Sequence, residues 1–354
     1  MKILHISDLH LLSPLTERLT PEKARQRRME LYDSFRRIID IATEKTARAI
    51  IIAGDLFDTE RVTRRDAEAI LDDISRASDI TFLYLPGNHE REALMRSGAE
   101  IPKNLKMFGE EWTYFELDGV TFAGRSSLPQ SAFDSLRLDE KRVNIAVLHG
   151  SLRDRCDGKD SIGKIEAARC PIDYLALGHY HSYSEEHISK RCLAVYSGTP
   201  EGRGFDETSQ CGYVEITVKD GVECHKFVPS AKRRLHILKV DITEAMREFE
   251  IEDRVVAAIG NIPLGDLLRV VLIGERDPQL RRDCAALTER LSGGRFYFEV
   301  RDESRLRIRP EEYKNDISLK GEFIRMALAD NTLSERERDE IIELGLRALL
   351  GERI

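Results

Sequence analysis

The chain lacks any long hydrophobic run, and this excludes a membrane-spanning helix. Across its 354 residues, no apolar stretch approaches the roughly 20 residues that such a helix needs. The first segment, MKILHISDLH, carries a charged residue inside a strand-like run and has no small-residue cleavage pattern, so we expect no signal peptide. These absences predict a soluble, cytoplasmic protein with no membrane partner.

Cysteine is scarce, and no two cysteines are close in sequence. There is no C-x-x-C pair among the six residues of this type, which are Cys156, Cys170, Cys192, Cys211, Cys224 and Cys284. That spacing is typical of reduced thiols and argues against a disulfide framework or a zinc knuckle.

An excess of positive charge is missing too. The net charge is −8, which weakly disfavours nucleic acid as a partner because phosphate binding needs basic surface. However, 33% of the residues are charged, so this total describes no particular surface. Short basic runs do occur, and any single run is best explained as a solvated face.

The first 230 residues alternate short apolar runs with helical patterns. Thr20-Pro21 predicts a helix over about 21–46, and Thr63 is expected to cap a second helix. Two hairpins are predicted around Asp118-Gly119 and around 219–221. Further strands are predicted at 2–6, 49–53, 80–85, 144–149, 174–179 and 192–198. This order predicts an α/β fold, a layered sandwich with mixed sheets.

A domain boundary is expected near 228–234. Beyond it, strands at 235–240, 267–273 and 295–301 alternate with helices near 243–260 and at 277–292, and the last 40 residues read as helical. We therefore predict a main domain at 1–230, a small α/β domain at 231–312 and C-terminal helices at 313–354.

Polar clusters follow five of the predicted strands. They comprise Asp8 and His10 in ISDLH, Asp55 and Asp58 in GDLFD, Asn88 and His89 in PGNHE, His149 after NIAVL, and His179 and His181 in GHYH. His5 lies inside the first strand and is expected to be ordinary packing, while His187, His225 and His236 are assigned structural roles. Glu90 is expected to support its turn.

Loops beyond the carboxyl ends of strands share one crevice in open α/β folds, so these clusters are expected to converge. In an extended D-x-H or H-x-H segment, alternate side chains face the same way and can reach a common centre. A pair of divalent cations needs a bridging carboxylate and several further donors. Carboxylate, amide and imidazole donors suit manganese, iron or zinc better than calcium.

As a set, these motifs resemble the signature of the calcineurin-type metallophosphoesterases, over residues 1 to about 200. The resemblance implies a two-layer β-sandwich flanked by helices, with a dinuclear metal centre. It implies one cation held by Asp8, His10, Asp55 and His181, and a second held by Asp55, Asn88, His149 and His179. It places His89 beside the substrate phosphate, as an acid or transition-state stabiliser, and not among the ligands.

Within that superfamily, the chain is more similar to the SbcD-type DNA repair exonucleases. The similar stretches are ISDLHL, GDLFDT, YSGTPEGRGFDE (196–207), RRLHILKVDIT (233–243) and the closing LSERERDEIIELGLRALLG (333–351). The similarity implies exonuclease or endonuclease action on DNA in repair and recombination. It also implies DNA contact by a capping domain at 231–312, and docking of 313–354 on an SMC-like ATPase of the SbcC type. A homodimer is left open.

Two expectations concern the cofactor and the DNA contact. Two divalent cations are expected, with Mn²⁺ favoured and Mg²⁺, Fe²⁺ or Zn²⁺ as alternatives. Among the basic runs, Lys232, Arg233 and Arg234 are favoured for DNA, because they lie where two domains are expected to join.

Two other functions stay open. The first is a metallophosphatase or nucleotide phosphodiesterase that acts on small phosphates. Protein-phosphatase relatives usually have Arg-Gly after the second motif, whereas Thr59-Glu60 follow Asp58 here, which counts against that branch. The second is a non-catalytic scaffold in an ATPase complex. A full set of ligand residues argues against it, since burying such groups brings no gain in stability.

Overall fold

The computed structural model describes two compact units, Met1–Leu235 and His236–Ile354. The described residues are 1–15, 19–59, 61–87, 90, 93–155, 160–276, 280, 283–307, 313, 315–349 and 351. The predicted boundary near 228–234 lies close to this division. The predicted three-part organisation stays a prediction.

The first unit is built on two six-stranded mixed sheets. In the first sheet the spatial order is β14-β13-β1-β2-β3-β4, where β1 to β4 run parallel and β13 and β14 are antiparallel additions. Its strands are β1 Lys2–Ile6, β2 Ala49–Ala53, β3 Thr81–Leu85, β4 Leu105–Met107, β13 Gly212–Val218 and β14 Val222–Pro229.

The second sheet has the order β11-β12-β10-β7-β6-β5, and its four central strands are parallel. Its strands are β5 Thr113–Leu117, β6 Val120–Gly124, β7 Val143–His149, β10 Tyr174–Gly178, β11 Ser184–His187 and β12 Leu193–Tyr196. A short parallel pair, β8 Ser151–Arg153 and β9 Ser161–Gly163, follows β7.

Helices begin where the sequence places a threonine cap. Thr20 accepts a hydrogen bond from the Lys23 N–H at the start of α1 (Pro21–Glu44), and Thr63 accepts one from the Asp66 N–H at the start of α2 (Arg64–Arg76). The apolar faces of both helices pack on the outer face of the first sheet. Two short helices, α3 Ala93–Arg96 and α4 Lys164–Ala168, complete the unit.

An apolar layer lies between the two sheets. Ile3, Ile51 and Leu83 of the first sheet meet Phe122 and Val147 of the second, and all five are fully buried. The predicted fold class, α/β with two mixed sheets flanked by helices, is confirmed. Because β1 to β3 run parallel, and so do β7 and β10, the predicted polar clusters lie at corresponding strand ends.

The second unit contains a three-stranded sheet of order β15-β16-β18 and a separate helical pair. Its elements are β15 Leu235–Asp241, α5 Glu248–Ile259, β16 Leu267–Ile273, β17 Glu275–Arg276, α6 Cys284–Leu291, β18 Tyr297–Asp302, β19 Arg305–Leu306, α7 Leu319–Ala329 and α8 Glu335–Leu349. Helix α5 begins later than predicted, because the Asp241 carboxylate accepts the Thr243 N–H and hydroxyl in a local turn. The predicted start of α6 at 277–279 lies outside the described residues.

Two absences apply to the part of the chain that the structure describes. None of its helices combines the length and the apolar character needed to cross a bilayer. Its cysteines form no disulfide.

Candidate metal centre

Side chains from four parallel strands meet at one edge of the sandwich. Asp8 and Asp55 follow β1 and β2 of the first sheet, His149 ends β7 of the second, and His179 follows β10. The loops after β1 and β2 continue to pair beyond the strands, since the Asp8 N–H donates to Gly54 O at 3.1 Å and the His10 N–H to Asp55 O at 2.9 Å. This pairing holds the first two motifs side by side.

The backbone at these residues is not extended. Asp8, His10, Asp55 and His179 have positive φ angles of 52°, 45°, 51° and 111°. The expectation that pleat alternation aligns D-x-H and H-x-H side chains is therefore wrong. Left-handed turns bring the side chains together instead. Such conformations cost free energy, so they persist only where the surrounding structure holds them, and they cluster at functional sites.

The six predicted ligands within the described ranges converge, five of them in two overlapping groups. Asp8, His10 and His181 form one group, and Asp8, Asp55 and His149 form the other, with one ligand atom per residue within 4.8 Å of the others. The Nε2 atoms of His10 and His181 lie 3.2 Å apart. Asp8 is the residue that the two groups share. Oδ2 of Asp55 lies 3.4 Å from Nε2 of His149 and 3.7 Å from Nε2 of His10, so Asp55 is close to a histidine of each group.

The environment of His149 tests whether a cation fits. Its Nδ1 lies 2.9 Å from the carbonyl oxygen of Ala53, so Nε2 faces the centre. Nε2 is buried and makes no aligned hydrogen bond to any residue that the structure describes. Burial alone would lower the pKa of His149, but the nearby Asp55 and Asp8 carboxylates raise it to about 9. A buried cluster of carboxylates needs a compensating positive charge, and a divalent cation fits that need.

At two positions the backbone passes so close to a ligand side chain that only glycine fits. A Cβ on Gly54 would collide with the His149 ring, and a Cβ on Gly87 would collide with the Asp55 carboxylate. These positions permit a tight cradle of donor atoms.

Asp8 and His179 are coupled through the backbone. The His179 N–H donates to both carboxylate oxygens of Asp8, at 3.0 and 3.1 Å, and the Ser7 hydroxyl donates to Oδ2 at 2.5 Å. The His179 ring packs edge-on against the ring of His149, with centroids 5.5 Å apart. Burial and the neighbouring His149 lower the pKa of His179, so its imidazole is held in the neutral form that a metal ligand requires. Asn88 and His89 lie outside the described residues.

Glu90 reaches further than its own turn. Its buried carboxylate accepts the N–H groups of Leu56 and Phe57 at 2.7 and 2.6 Å, and that of Gly87 at 3.3 Å. Burial and the Asp55 charge raise the pKa of Glu90 to about 7. The predicted turn support is confirmed, and the same carboxylate also anchors the loop that carries Asp55.

Three charged residues lie behind the histidines. The sequence named Asp58 in its polar cluster without giving it a role, whereas Glu207 and Arg203 were missed as site residues. Asp58 Oδ1 lies 3.0 Å from Nδ1 of His10, Glu207 Oε1 lies 2.7 Å from Nδ1 of His181, and Arg203 contacts both carboxylates. A usable signal was present, because Glu207 is an acidic residue in a glycine-rich loop after the buried strand β12.

The three basic residues proposed to contact DNA differ from one another in exposure. Arg233 is mostly buried and forms an ion pair with Glu30 at 2.8 Å, while Lys232 Nζ lies 3.4 Å from the same carboxylate. Arg234 is exposed. DNA contact by these three residues stays a prediction.

Comparison with known proteins identifies the family of this chain. Residues 1–183, just over half of the chain, match the calcineurin-like phosphoesterase family. The chain belongs to this family. The matched region of this calcineurin-like phosphoesterase contains every described candidate ligand, including the convergent groups at the ends of β1, β2, β7 and β10.

Several curated proteins are similar to this phosphoesterase. "Uncharacterized metallophosphoesterase YhaO" of Bacillus subtilis is 26% identical over 69% of this chain and 64% of its own length. "DNA double-strand break repair protein Mre11" of Saccharolobus solfataricus is 30% identical over 62% of this chain and 61% of its own. The protein of the same name from Methanopyrus kandleri is 26% identical over 100% of this chain and 83% of its own. The chain thus spans less than two thirds of the length of the first two of these relatives.

Proposed function

We propose that this phosphoesterase hydrolyses phosphodiester bonds of DNA in break repair, using two divalent cations. The observation that carries the proposal is the convergence of buried carboxylates and imidazoles from both sheets into the two overlapping groups around Asp8 and Asp55. Similarity to relatives named as DNA double-strand break repair proteins supports DNA as the substrate.

The chain's own residues would hold and align the reacting groups. Asp8, His10, Asp55 and His181 would bind one cation, and Asp55, Asn88, His149 and His179 the other. Bound there, divalent cations supply Lewis-acid stabilisation of phosphate charge and a water of lowered pKa. Oxygen and imidazole donors without cysteine suit Mn²⁺, Fe²⁺ or Zn²⁺, and among these we propose Mn²⁺.

His89 is proposed to act on the substrate itself. The resemblance places it beside the phosphate, where an imidazole can donate a proton to the leaving sugar oxygen near neutral pH. It is not proposed as a ligand.

The proposed contacts to DNA are to its phosphates. The side chains of Lys232 and Arg234 are exposed whereas that of Arg233 is mostly buried, so Lys232 and Arg234 can reach a phosphate from solvent more readily. Contacts of this kind carry no sequence information and weaken steeply with salt.

The activity is tested with end-labelled linear DNA. Single- and double-stranded substrates labelled at the 3′ or 5′ end are incubated with Mn²⁺, Mg²⁺ or a chelator, and the products are sized. We expect Mn²⁺-dependent cleavage that Asp55→Asn reduces to the chelator level. His89→Ala should bind both cations but lose about 10²- to 10⁴-fold in rate, the usual size of a general-acid contribution.

A matched control is His187→Gln, which removes an exposed imidazole of the same unit. It should cleave DNA as the wild type does. Turnover of p-nitrophenyl phosphate without any cleavage of DNA would contradict the proposal and favour a small-phosphate enzyme. A protein that binds both cations and cleaves neither substrate would favour the non-catalytic scaffold.

We also propose an SMC-like ATPase partner of the SbcC type. Helices α7 and α8 bury Ile324, Ile342 and Leu346 between them. They also expose apolar side chains, among them Met326 and Leu344. An amphipathic helix with apolar residues on its outer face is suited to docking in a groove of another protein.

A further inference from the structure

We propose that Glu207 and Asp58 are positioning residues, held together by Arg203. They orient His181 and His10, which bind the same cation, and they do not affect the other cation. The proposal rests on the proposed function, because it concerns the same pair of cations. It adds three residues to the centre and predicts that all three support binding of the same cation.

Glu207 is built into the centre from behind. It is buried with a side chain only 2% exposed, and its Oε1 lies 2.7 Å from Nδ1 of His181. Its other oxygen accepts the backbone N–H of Arg203 at 2.6 Å. A carboxylate held in this way cannot turn away from the histidine.

The contacts at His181 decide which ring nitrogen carries the proton. Nδ1 lies 2.7 Å from Glu207, which can only accept, and 3.4 Å from Nη2 of Arg203, which can only donate. The shorter contact requires a proton on Nδ1. In a neutral ring, Nε2 then carries the lone pair, and Nε2 is the atom that faces His10 and Asp8.

Asp58 lies behind His10 in a similar position. Its Oδ1 is 3.0 Å from Nδ1 of His10, a close ion-pair contact that is not aligned as a hydrogen bond, again on the side of the ring opposite Nε2. Two imidazoles from different sheets thus have a carboxylate behind Nδ1 and an open Nε2. A metal-bound histidine commonly donates its other N–H to such a carboxylate, which raises its basicity and fixes its orientation.

Arg203 joins the two carboxylates. Nη1 lies 3.2 Å from Asp58 Oδ1, while Nε and Nη2 lie 3.1 and 2.8 Å from Glu207 Oε1. The planar fork of a guanidinium can hold two such groups at a fixed separation, which an ammonium cannot. The pair of carboxylates is therefore set as one unit.

The other half of the centre lacks this support among the described residues. Nδ1 of His149 meets the neutral backbone carbonyl of Ala53 and no carboxylate. Loss of Glu207 should therefore weaken the cation held by His10 and His181 and leave the cation at His149 unaffected.

Calorimetric titration of the metal-free full chain with Mn²⁺ tests this, together with the visible absorption of the Co²⁺-loaded protein. In Glu207→Gln, we expect one of the two binding steps to weaken by about 10- to 100-fold, the other to be unchanged, and the Co²⁺ bands to change. Arg203→Lys should weaken the same step less, because the charge stays and the fork is lost. Asp58→Asn should weaken the same binding step. Because Asp58 is partly exposed, this variant provides the test if Glu207→Gln does not fold.

Glu201→Gln is the matched control. Glu201 is a buried glutamate in the same 196–207 loop, but it pairs with Arg27 and contacts no histidine in the described part of the chain. It should lower the unfolding temperature and leave both binding steps unchanged.

The outcomes separate the two proposals. Two cations bound by the wild type, with unchanged binding in Glu207→Gln and Asp58→Asn, would overturn the positioning role alone. Equal weakening in Glu201→Gln would also overturn it, since general loosening would then explain the effect. A wild-type chain that takes up no cation would overturn the proposed function and the positioning role together.

Discussion

Single residues at the centre adopt conformations that most side chains avoid. Asp8 and Asp55 have left-handed φ angles, each paired through the backbone to the neighbouring loop. Such a residue costs about 1–2 kcal/mol and persists only where the surroundings hold it in place. Glu90, which receives the N–H groups after Asp55, supplies part of that hold. The strained backbone therefore serves the geometry of the ligands.

Gly54→Ala is predicted to weaken Mn²⁺ binding, an effect that the cost of a positive φ angle alone does not explain. Gly54 has φ +93°, and a Cβ there would collide with the His149 ring. We expect at least a tenfold loss of Mn²⁺ affinity, measured by calorimetry, because His149 must move. Gly119→Ala is the control: Gly119 has φ +82° in the β5–β6 turn and no atom within 4 Å of the added Cβ. It should cost about 1–2 kcal/mol in unfolding free energy and no metal affinity. Equal losses of affinity in both variants would contradict the steric explanation.

At the scale of elements, a buried ionic network ties helix α1 to distant segments. Arg27 and Glu30 on α1 are both about 1% exposed; Arg27 pairs with Glu201, and Glu30 pairs with Arg233. Arg27 also donates to Gly202 O at 2.5 Å. Breaking a buried network leaves an uncompensated charge, so each member should matter more than a surface ion pair.

The network predicts an acid-sensitive contribution to stability. Burial raises the pKa of Glu30, but Arg233 and Arg27 outweigh burial and lower it to about 2, from an ordinary value of 4.5. The folded state therefore releases the proton more readily than the unfolded state. The stabilisation is full above pH 4.5 and is lost as the pH falls towards 2. At pH 7 we expect Glu30→Gln to lower the unfolding free energy by about 3 kcal/mol, since one pKa unit corresponds to about 1.4 kcal/mol.

Urea unfolding at several pH values measures this. The difference between wild type and Glu30→Gln should shrink steadily between pH 5 and pH 2. Glu44→Gln, at an exposed position on the same helix, should differ little from wild type at any pH. A difference for Glu30→Gln that stays constant with pH would contradict the assigned pKa.

At the scale of the whole molecule, the chain consists of two units with separate cores. The first unit holds the described candidate ligands, and the second ends in the α7–α8 pair with its exposed apolar side chains. Leu344 is 44% exposed on α8, two residues from the buried Leu346. Substitution of Leu344 can therefore test docking without removing a side chain from the core of the helical pair.

Leu344→Glu is predicted to weaken binding to the proposed SbcC-type ATPase partner by at least tenfold, because the proposed interface would then bury a charge. Pull-down and calorimetry with the purified partner measure this, and circular dichroism should show unchanged folding. Asn331→Glu, an exposed substitution in the α7–α8 connection, should bind as the wild type does. Wild-type affinity in Leu344→Glu would contradict docking through this face.

Deletion of 313–354 should abolish binding to the same partner. Loss of folding on this deletion would instead indicate that these helices serve the chain's own packing.

Local signals in the sequence were sufficient for many elements and for the choice of candidate ligands. The caps at Thr20 and Thr63, the strands β1 and β2 and the Asp118-Gly119 hairpin depend on neighbours within a few residues, so their pattern is visible in the chain itself. The same is true of polar residues that directly follow apolar strands.

Only the tertiary structure decided how those ligands meet and what stands behind them. Left-handed turns replaced the expected extended alternation at Asp8, His10 and His179. Arg203 reaches Asp58 across 145 positions, and Arg233 reaches Glu30 across 203. Contacts between residues so far apart depend on how the two sheets and α1 pack, and no short-range pattern encodes that packing. The sequence by itself therefore determined which donors are available, and the fold determined their geometry and their supporting charges.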